Sequence, residues 1–352
     1  MTAVKSGLDK GPRKEDLRQE VLDFEAYHAG LSIEEIQERY GLANIIKLAS
    51  NENPLGVSPV VQKCLRDNAP KAFRYAQTGN PRLVAAIAAH LGISPKRIVP
   101  GNGSDEIIDL LIRVRANPDT DNVVAFKPCF SMYELQAKFH GVEFRQALLN
   151  ADFSFPWDEY LELMDENTAI AFVTSPDNPS GYTVPVAELE ALAARVPEQC
   201  LLVIDEAYMD FCSEPEQYSL ISRMDEFPNV VILRTFSKLY GLAGLRLGYG
   251  VMPEWLADYL WRVRLPFSVN CLAEEAGIAA LGDEVFIQET LRVVNAGRAQ
   301  LTEGLEKLGA TVAPSMANFL LFTLPDTAPS AKDIFEALLT RGIIIRPLGS
   351  YK

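Results

Sequence analysis

Histidine and cysteine are scarce in this 352-residue sequence, and their spacing excludes two classes of site. The three histidines, His28, His90 and His140, lack metal-ligand spacing, so we predict no zinc or other metal site. The five cysteines (64, 129, 200, 212 and 271) are scattered, with no CxxC pair. Scattered free thiols are typical of a reducing compartment, so we expect a cytoplasmic protein.

A net positive charge, long apolar runs and complete nucleotide-binding motifs are lacking as well. The 33 basic and 47 acidic residues give a net charge of −14, which excludes a general attraction to nucleic acid or anionic lipid. No apolar run approaches the roughly 18 residues of a membrane helix, and the first residues lack a signal-peptide pattern. Neither a complete GxGxxG nor a GxxxxGK[ST] motif is present, so nicotinamide and nucleoside triphosphate sites are not expected.

What the sequence contains is an alternation of helical and strand patterns from about residue 80 to 265. Its hydrophobic fraction of 48% is that of an ordinary globular protein. Near-continuous apolar runs favour strands buried on both faces. They lie at 122–126, 169–174, 201–204, 230–233 and 247–251, with helical patterns at 131–140, 186–195 and 254–264 between them. The pattern predicts an α/β fold with a three-layer αβα domain and a mostly parallel sheet.

The regular alternation of strand and helix patterns ends after about residue 270, which predicts a second, smaller domain. Helical patterns at 272–281, 283–308 and 332–341 and a strand at 342–346 indicate an α+β unit. We therefore expect an N-terminal arm and part of the small domain at 1–56, a large cofactor domain at 57–266 and the C-terminal small domain at 267–352. The N-terminal segment is expected to pack with the small domain, because it is too short to form its own core.

Polar residues follow three of the apolar runs, where ligands bind in open α/β sheets. A stiff turn at 175–181 presents Asn178. Asp205 directly follows the run 201–204, and Lys238 ends the segment 234–238 that follows the run 230–233. Taken singly, an ordinary turn, a helix cap and a surface lysine explain each of them. A buried carboxylate, however, needs a cationic partner, and partial burial makes a lysine amine nucleophilic.

An anion site is predicted beside these residues. Glycines 101 and 103 precede Ser104, Asp105 and a helical pattern, an arrangement that leaves backbone N–H groups free for a phosphate. Ser237 and Arg246 add a hydroxyl and a guanidinium. A lysine, a carboxylate, an amide turn and a phosphate site at one sheet edge are what pyridoxal phosphate (PLP) requires.

These motifs resemble those of the fold type I PLP enzymes, and among them the histidinol-phosphate aminotransferases. The resemblance covers nearly the whole chain and rests on segments 47–56, 74–75, 101–106, 175–181, 205–208 and 234–248. Segments 27–41 and 51–56 narrow the resemblance to the histidinol-phosphate aminotransferase subfamily. The resemblance implies a cytoplasmic homodimer that transaminates L-histidinol phosphate with 2-oxoglutarate, giving imidazole-acetol phosphate and L-glutamate in histidine biosynthesis.

The resemblance also implies a role for each motif residue. Lys238 binds the cofactor aldehyde and then moves the proton between substrate Cα and cofactor C4′. Asp205 pairs with the ring nitrogen, and Tyr208 bonds the ring oxygen. The other residues expected to bind the cofactor are Gly103, Ser104, Asp105, Phe130, Asn178, Ser237, Arg246 and, from the other subunit, Tyr75. The substrate is expected to contact Tyr27, Asn53 and Arg346.

Two features depart from the family pattern. Phe130 stands where relatives often carry a tyrosine that stacks on the cofactor ring, and stacking survives the loss of the hydroxyl. Relatives also carry a further strand, with an anion-binding arginine, beyond the strand that leads to Arg346. The given sequence stops at Lys352, so we expect the small domain to continue past it.

Other activities of the same fold stay open at this point. An aromatic amino acid aminotransferase and a decarboxylase of threonine phosphate use the same cofactor residues. A PLP-binding regulatory module without turnover belongs to a different class, and such modules follow a helix-turn-helix domain for which the N-terminal segment leaves no room.

Overall fold

The computed structural model describes residues 13–22, 24 and 31–349, so the predicted site residue Tyr27 lies outside the described residues. The strands are β1 (Ile46–Lys47), β2 (Ile98–Gly101), β3 (Asn122–Lys127), β4 (Glu143–Leu148), β5 (Thr168–Thr174), β6 (Leu201–Asp205), β7 (Val230–Thr235), β8 (Gly248–Val251), β9 (Thr311–Val312), β10 (Phe322–Thr323) and β11 (Ile343–Ile344). The helices are α1 (Gln19–Leu22), α2 (Ile33–Tyr40), α3 (Pro59–Asn68), α4 (Pro81–Leu91), α5 (Ser104–Arg115), α6 (Met132–Phe139), α7 (Trp157–Glu162), α8 (Val186–Ala193), α9 (Glu254–Val263), α10 (Cys271–Leu281), α11 (Glu284–Lys307) and α12 (Ala331–Leu339).

A seven-stranded sheet in the order β2-β8-β7-β6-β5-β3-β4 forms the centre of the described structure. Five neighbouring strands, in the order β4, β3, β5, β6 and β7, run parallel to one another. β8 is antiparallel to both of its neighbours, β7 and β2. The predicted α/β class with a mostly parallel sheet is confirmed. The sequence patterns did not predict β2 and β4, which are the two edge strands.

The sheet is buried on both faces, as the continuous apolar runs require. In β6, Leu202 and Ile204 join a core that includes side chains of α4, α8 and α10. Leu201 and Val203, which point the other way, join a second core with α5, α6 and α9. This alternation is the period of two that a strand imposes on its side chains. The large unit therefore has the predicted three layers.

A smaller unit combines the N-terminal and C-terminal parts of the described chain. β1 pairs in parallel with β11, and Ile36 of α2, Leu339 of α12 and Ile344 of β11 form a separate small core. Helix α10 packs against α3 and α4 of the large unit. No helix in the part of the chain that the structure describes combines the length and the apolar character needed to cross a membrane.

Candidate active site

The carboxyl ends of β5, β6 and β7 meet at one edge of the sheet and open on a cavity of about 260 Å³. Parallel strands bring sequence-distant residues together in this way, because their carboxyl ends share an edge. The predicted site residues that line the cavity are Ser104, Asp105, Phe130, Asn178, Asp205, Tyr208, Ser237, Lys238 and Arg246. The structure thus brings together most of the side chains that the sequence motifs indicated.

Lys238 projects into the cavity from the turn that follows β7. Its side chain is half-buried, and Nζ donates a hydrogen bond to the backbone carbonyl of Ser50 at 3.2 Å. Burial lowers the pKa of Lys238 below its ordinary value, although the charges of Glu52 and Asp105 act in the opposite direction. A lowered pKa increases the share of neutral amine, which is the form that attacks a carbonyl group.

Asp205 ends β6 and is buried, with 3% of its surface exposed. Burial raises the pKa of this carboxyl group to about 6, and hydrogen bonds from Tyr133 and Ala207 oppose the rise. The Tyr133 hydroxyl donates to Oδ2 at 2.7 Å, and the Ala207 N–H donates to Oδ1 at 3.1 Å. Among the described residues, no Lys or Arg forms an ion pair with Asp205. The cationic partner that a buried carboxylate requires is therefore not supplied by these residues.

The Tyr208 hydroxyl is held between two amide side chains. Asn51 donates to it from Nδ2 at 3.1 Å, and Asn178 does so at 3.5 Å. Asn178 lies in the turn after β5, in which the Ser175-Pro176 peptide bond is cis. The Tyr208 ring lies under the amine of Lys238, with 5.5 Å between Nζ and the ring centroid. These contacts place a phenol and an amide on the same side of the cavity as the lysine.

The opposite end of the cavity is built to receive an anion. Helix α5 begins at Ser104 behind Gly103, whose φ of 81° is left-handed and whose N-cap position carries no side-chain hydrogen bond. The backbone N–H groups of such a first turn attract phosphates. Arg246, itself at a φ of 53°, reaches Asp105 Oδ2 with Nη2 at 2.9 Å. A Cβ on Gly103 would lie 2.5 Å from that Nη2, so glycine makes room for the guanidinium.

Four predicted residues of the described chain lie outside the cavity lining, and one of them, Gly103, directly precedes the lining residue Ser104. Tyr75 is 81% exposed and stacks on Phe267, with 4.6 Å between ring centroids. The Asn53 amide donates to the backbone carbonyl of Leu239 at 2.7 Å, so protein groups occupy it. Arg346 is exposed and follows β11. Their expected roles toward a partner subunit or a substrate stay predictions.

The cavity also has members to which no role was assigned from the sequence. Ser50, Glu52, Thr174 and Thr235 line it, and Tyr133 stands directly behind Asp205. The two threonines are the last residues of β5 and β7, and that position was an available signal. Ser50 and Glu52 fall within segment 47–56, and Tyr133 has the local pattern of an ordinary core residue.

The site geometry agrees with comparisons to known proteins. The model of the class I and II aminotransferase family matches residues 43–352. A histidinol-phosphate aminotransferase of Nitratidesulfovibrio vulgaris is 67% identical over 339 residues, which cover 96% of this chain and 90% of the relative. This chain belongs to the histidinol-phosphate aminotransferases of that family.

Further relatives extend the likeness to solved structures. The histidinol-phosphate aminotransferase of Oleidesulfovibrio alaskensis is 61% identical over 336 residues, 95% of this chain and 88% of that protein. The crystal structure of the Sinorhizobium meliloti histidinol-phosphate aminotransferase in complex with pyridoxal 5′-phosphate superposes with a TM-score of 0.86. It is 27% identical and covers 94% of this chain and 88% of its own. A Thermus thermophilus aspartate aminotransferase at 22% identity, with a TM-score of 0.80, shares the fold.

The site of this chain fits pyridoxal phosphate on its own chemistry. The buried Asp205 lacks a cation among the described residues, which a protonated ring nitrogen would supply. A half-buried amine with a lowered pKa stands at Lys238 for the aldehyde. The backbone N–H groups in the first turn of α5 and the guanidinium of Arg246 are suited to bind the phosphate. Each functional group of the cofactor therefore has a matching protein group.

Proposed function

We propose that this protein transfers the amino group of L-histidinol phosphate to 2-oxoglutarate, forming imidazole-acetol phosphate and L-glutamate in histidine biosynthesis. The observation that carries the proposal is the cavity shared by Lys238, an amine with a lowered pKa, and Asp205, a buried carboxylate that lacks a cation among the described residues. The 67% identity to a histidinol-phosphate aminotransferase supports this substrate.

The residues around the cavity would hold pyridoxal phosphate by groups of matching chemistry. Lys238 would hold the aldehyde, Asp205 the ring nitrogen, and Asn178 and Tyr208 the ring oxygen, with Phe130 against the ring face. The phosphate would be held by Gly103, Ser104, Asp105, Ser237 and Arg246, the first three partly through backbone N–H groups. The bound cofactor supplies an electron sink for the charge that develops at the substrate Cα.

The chain's own residues then move and hold protons. The amine of Lys238 would act as the base that moves the proton between substrate Cα and cofactor C4′. Its burial serves this step, because a lowered pKa keeps the amine available as a base. Asp205 keeps the proton on the ring nitrogen by presenting a carboxylate to it. Tyr208 donates toward the ring oxygen from a hydroxyl that two amides orient.

The substrate end and the subunit arrangement belong to the same proposal. We assign Tyr27, Asn53 and Arg346 to the substrate, and Tyr75 to the cofactor phosphate of the partner subunit in a homodimer. The exposure of the stacked Tyr75–Phe267 pair supports the last assignment, because exposed aromatic pairs are typical of interfaces. We further propose a cytoplasmic protein, which the five free cysteines support.

The proposed domain division rests on the packing of the two chain ends, whereas α10 packs against α3 and α4 of the large unit. Residues 57–266 would form the large domain, with 1–56 and 267–352 contributing the small one. The β1–β11 pair and the small core of Ile36, Leu339 and Ile344 support the joining of the two chain ends. Limited proteolysis with mass determination tests this division, since cuts are expected near residues 56 and 266 rather than within either unit.

A direct assay tests the proposed reaction. The purified protein with its cofactor is given L-histidinol phosphate and 2-oxoglutarate, and L-glutamate formation is followed. L-tyrosine and threonine phosphate are supplied in parallel. Preferred turnover of histidinol phosphate supports the proposal. Preferred turnover of tyrosine identifies an aromatic aminotransferase, carbon dioxide release from threonine phosphate identifies a decarboxylase, and a bound cofactor without any turnover indicates a regulatory module.

Mixing two inactive variants tests the role of the partner subunit. Lys238→Ala and Tyr75→Ala each impair the sites of their own homodimers. A hybrid dimer carries both changes in one site and leaves the other intact, so an equal mixture refolded together should regain about one quarter of wild-type activity. A mixture that stays inactive while hybrids are detected by mass spectrometry overturns the assignment of Tyr75.

A further inference from the structure

Tyr133 is a buried aromatic residue near the start of α6 that the mechanism above does not use. Only 1% of its surface is exposed. Its ring lies flat on the ring of Phe172 in β5, with 4.3 Å between centroids and 5° between planes. This stacking fixes the direction in which the Tyr133 hydroxyl points.

That hydroxyl points at Asp205. It donates to Oδ2 at 2.7 Å and lies 2.8 Å from the Thr174 hydroxyl. A phenol has one proton to give, so Thr174 must be the donor in the second contact. The resulting chain of donors runs from Thr174 to Tyr133 to Asp205 and ends on the carboxylate assigned to the cofactor ring nitrogen.

The Tyr133 ring also contacts the residue assigned to the cofactor ring face. Phe130 meets it edge to face, with 5.6 Å between centroids and 84° between planes. One buried side chain therefore contacts two of the groups that would hold the cofactor ring, the carboxylate at its nitrogen and the phenyl ring at its face.

We propose that Tyr133 is a positioning residue for transamination, holding Asp205 ionised and aimed at the cofactor ring nitrogen while bracing Phe130. The inference rests on the function proposed above. Burial alone favours a neutral Asp205, and a neutral acid does not keep the ring nitrogen protonated. A donated hydrogen bond favours the carboxylate. Burial and the charge of Asp205 raise the pKa of Tyr133 well above its ordinary value, so the phenol keeps its proton.

Tyr133→Phe in the holoenzyme tests this proposal, because it removes one oxygen atom and keeps the ring. Tyr160→Phe is a matched control. Tyr160 is fully buried, stacks on Phe126 at 4.1 Å, and donates to the backbone carbonyl of Phe172 at 2.8 Å, away from the cavity lining. Both variants lose one fully buried phenol hydroxyl, Tyr160 from the core on one face of the sheet and Tyr133 from the core on the other. Only the first loses a bond to a site carboxylate.

Four measurements are compared among wild type and the two variants. They are the cofactor dissociation constant, the pH titration of the absorption band of bound cofactor, kcat and KM for L-histidinol phosphate, and the melting temperature. For Tyr133→Phe we expect kcat to fall about 10- to 100-fold with little change in KM. A decrease of this size corresponds to the loss of one hydrogen bond to a charged group. We also expect weaker cofactor binding and a displaced spectral titration. Tyr160→Phe should match wild type in all but melting temperature.

Two results overturn the proposal. One is a Tyr133→Phe protein with wild-type cofactor affinity, spectral titration and kcat. The other is an equal loss in both variants, which assigns the effect to packing alone. The cofactor affinity and the spectral titration need no substrate. A wild-type protein that fails to convert histidinol phosphate therefore counts against the proposed function, and is distinguishable from a failure of the Tyr133 assignment.

Discussion

The amine of Lys238 donates its hydrogen bond to the backbone carbonyl of Ser50, 3.2 Å away, rather than to a carboxylate. A neutral acceptor holds the amine in place without fixing its positive charge. Burial then lowers the pKa of Lys238, and the charges of Glu52 and Asp105 oppose this effect only in part. The lysine is thus oriented and available as a nucleophile at the same time.

Replacing Lys238 should abolish turnover and covalent cofactor attachment together. We expect Lys238→Ala and Lys238→Arg each to lose at least about 10²- to 10⁴-fold in kcat, the contribution of a positioned proton-transfer group. Borohydride reduction followed by peptide mass mapping should place the cofactor mass on residue 238 of the wild type and on no residue of either variant. Normal turnover by Lys238→Ala contradicts the assignment. The Arg variant controls for simple loss of positive charge.

The pH dependence of stability should report Asp205 in the protein freed of cofactor. Burial raises the pKa of Asp205 from 3.8 to about 6, so the folded state favours the protonated acid. That contribution to stability is fully present below the unfolded-state pKa and is lost as the pH rises through about 6. Asp205→Asn should therefore gain about 3 kcal/mol in free energy of unfolding over wild type between about pH 4 and pH 7. Urea titrations at several pH values measure the difference.

Asp177 offers a matched control for that experiment. It is equally buried, burial likewise raises its pKa to about 6, and its carboxylate accepts from Ser180 rather than facing the cavity. Bound cofactor should close the pH-dependent gap between Asp205→Asn and wild type, because the ring nitrogen supplies the missing cation. It should leave the gap for Asp177→Asn unchanged. Two gaps that respond equally to cofactor would remove Asp205 from the ring nitrogen.

Arg246 should contribute more to cofactor affinity than Arg113, an arginine of equal exposure. Arg246 pairs with Asp105 and Arg113 pairs with Asp109, both carboxylates of α5, and both arginine side chains are 45% exposed. We expect Arg246→Ala to weaken cofactor binding about 10- to 100-fold through loss of a charge-assisted hydrogen bond to phosphate. Arg113→Ala should leave the affinity unchanged. Equilibrium dialysis measures both, and equal affinities for the two variants would show that Arg246 does not contact the phosphate.

A buried ion pair beneath the site should dominate local stability. Arg234 in β7 contacts Glu206 at 2.6 Å and Asp210 at 2.6 Å, and the Glu206 side chain is fully buried. Removing one partner leaves buried charge uncompensated, so Arg234→Met should cost about 3–5 kcal/mol in free energy of unfolding. The double variant Arg234→Met, Glu206→Leu should recover part of that loss. Urea unfolding compares the three proteins, and strictly additive losses would show that the pair does not interact.

The central strands were predictable because of where they lie in the sheet. Every residue of β6 is buried, so its sequence is an unbroken apolar run that ends in Asp205. The edge strands carry no such run. β2 spans only four residues and contains Pro100, and β4 includes Glu143, Arg145 and Gln146 with mostly partial burial. β4 is only partly covered, and β2, although buried, is short and interrupted by Pro100, so a search for continuous apolar runs detects neither strand.

The site was predictable where its chemistry follows a strand and unpredictable where it depends on tertiary contacts. Lys238 and Asp205 were found by their position after apolar runs. Tyr133 was not, because a tyrosine in a short helix has the same local pattern as any core residue. Asn53 was predicted to contact the substrate, but in the structure its amide contacts the backbone of Leu239, 186 positions away. Contacts of this kind have no local sequence signal.

The Ser50–Lys238 contact has a consequence for how the protein folds. Its two residues are 188 positions apart, and the cavity lining extends from Ser50 to Arg246. Contacts between such distant residues form slowly, because the intervening chain must be ordered before they become favourable. No early folding unit can contain the whole cavity, so cofactor capture should be among the last events of folding. The appearance of bound cofactor on a growing or refolding chain therefore marks the completion of the native topology.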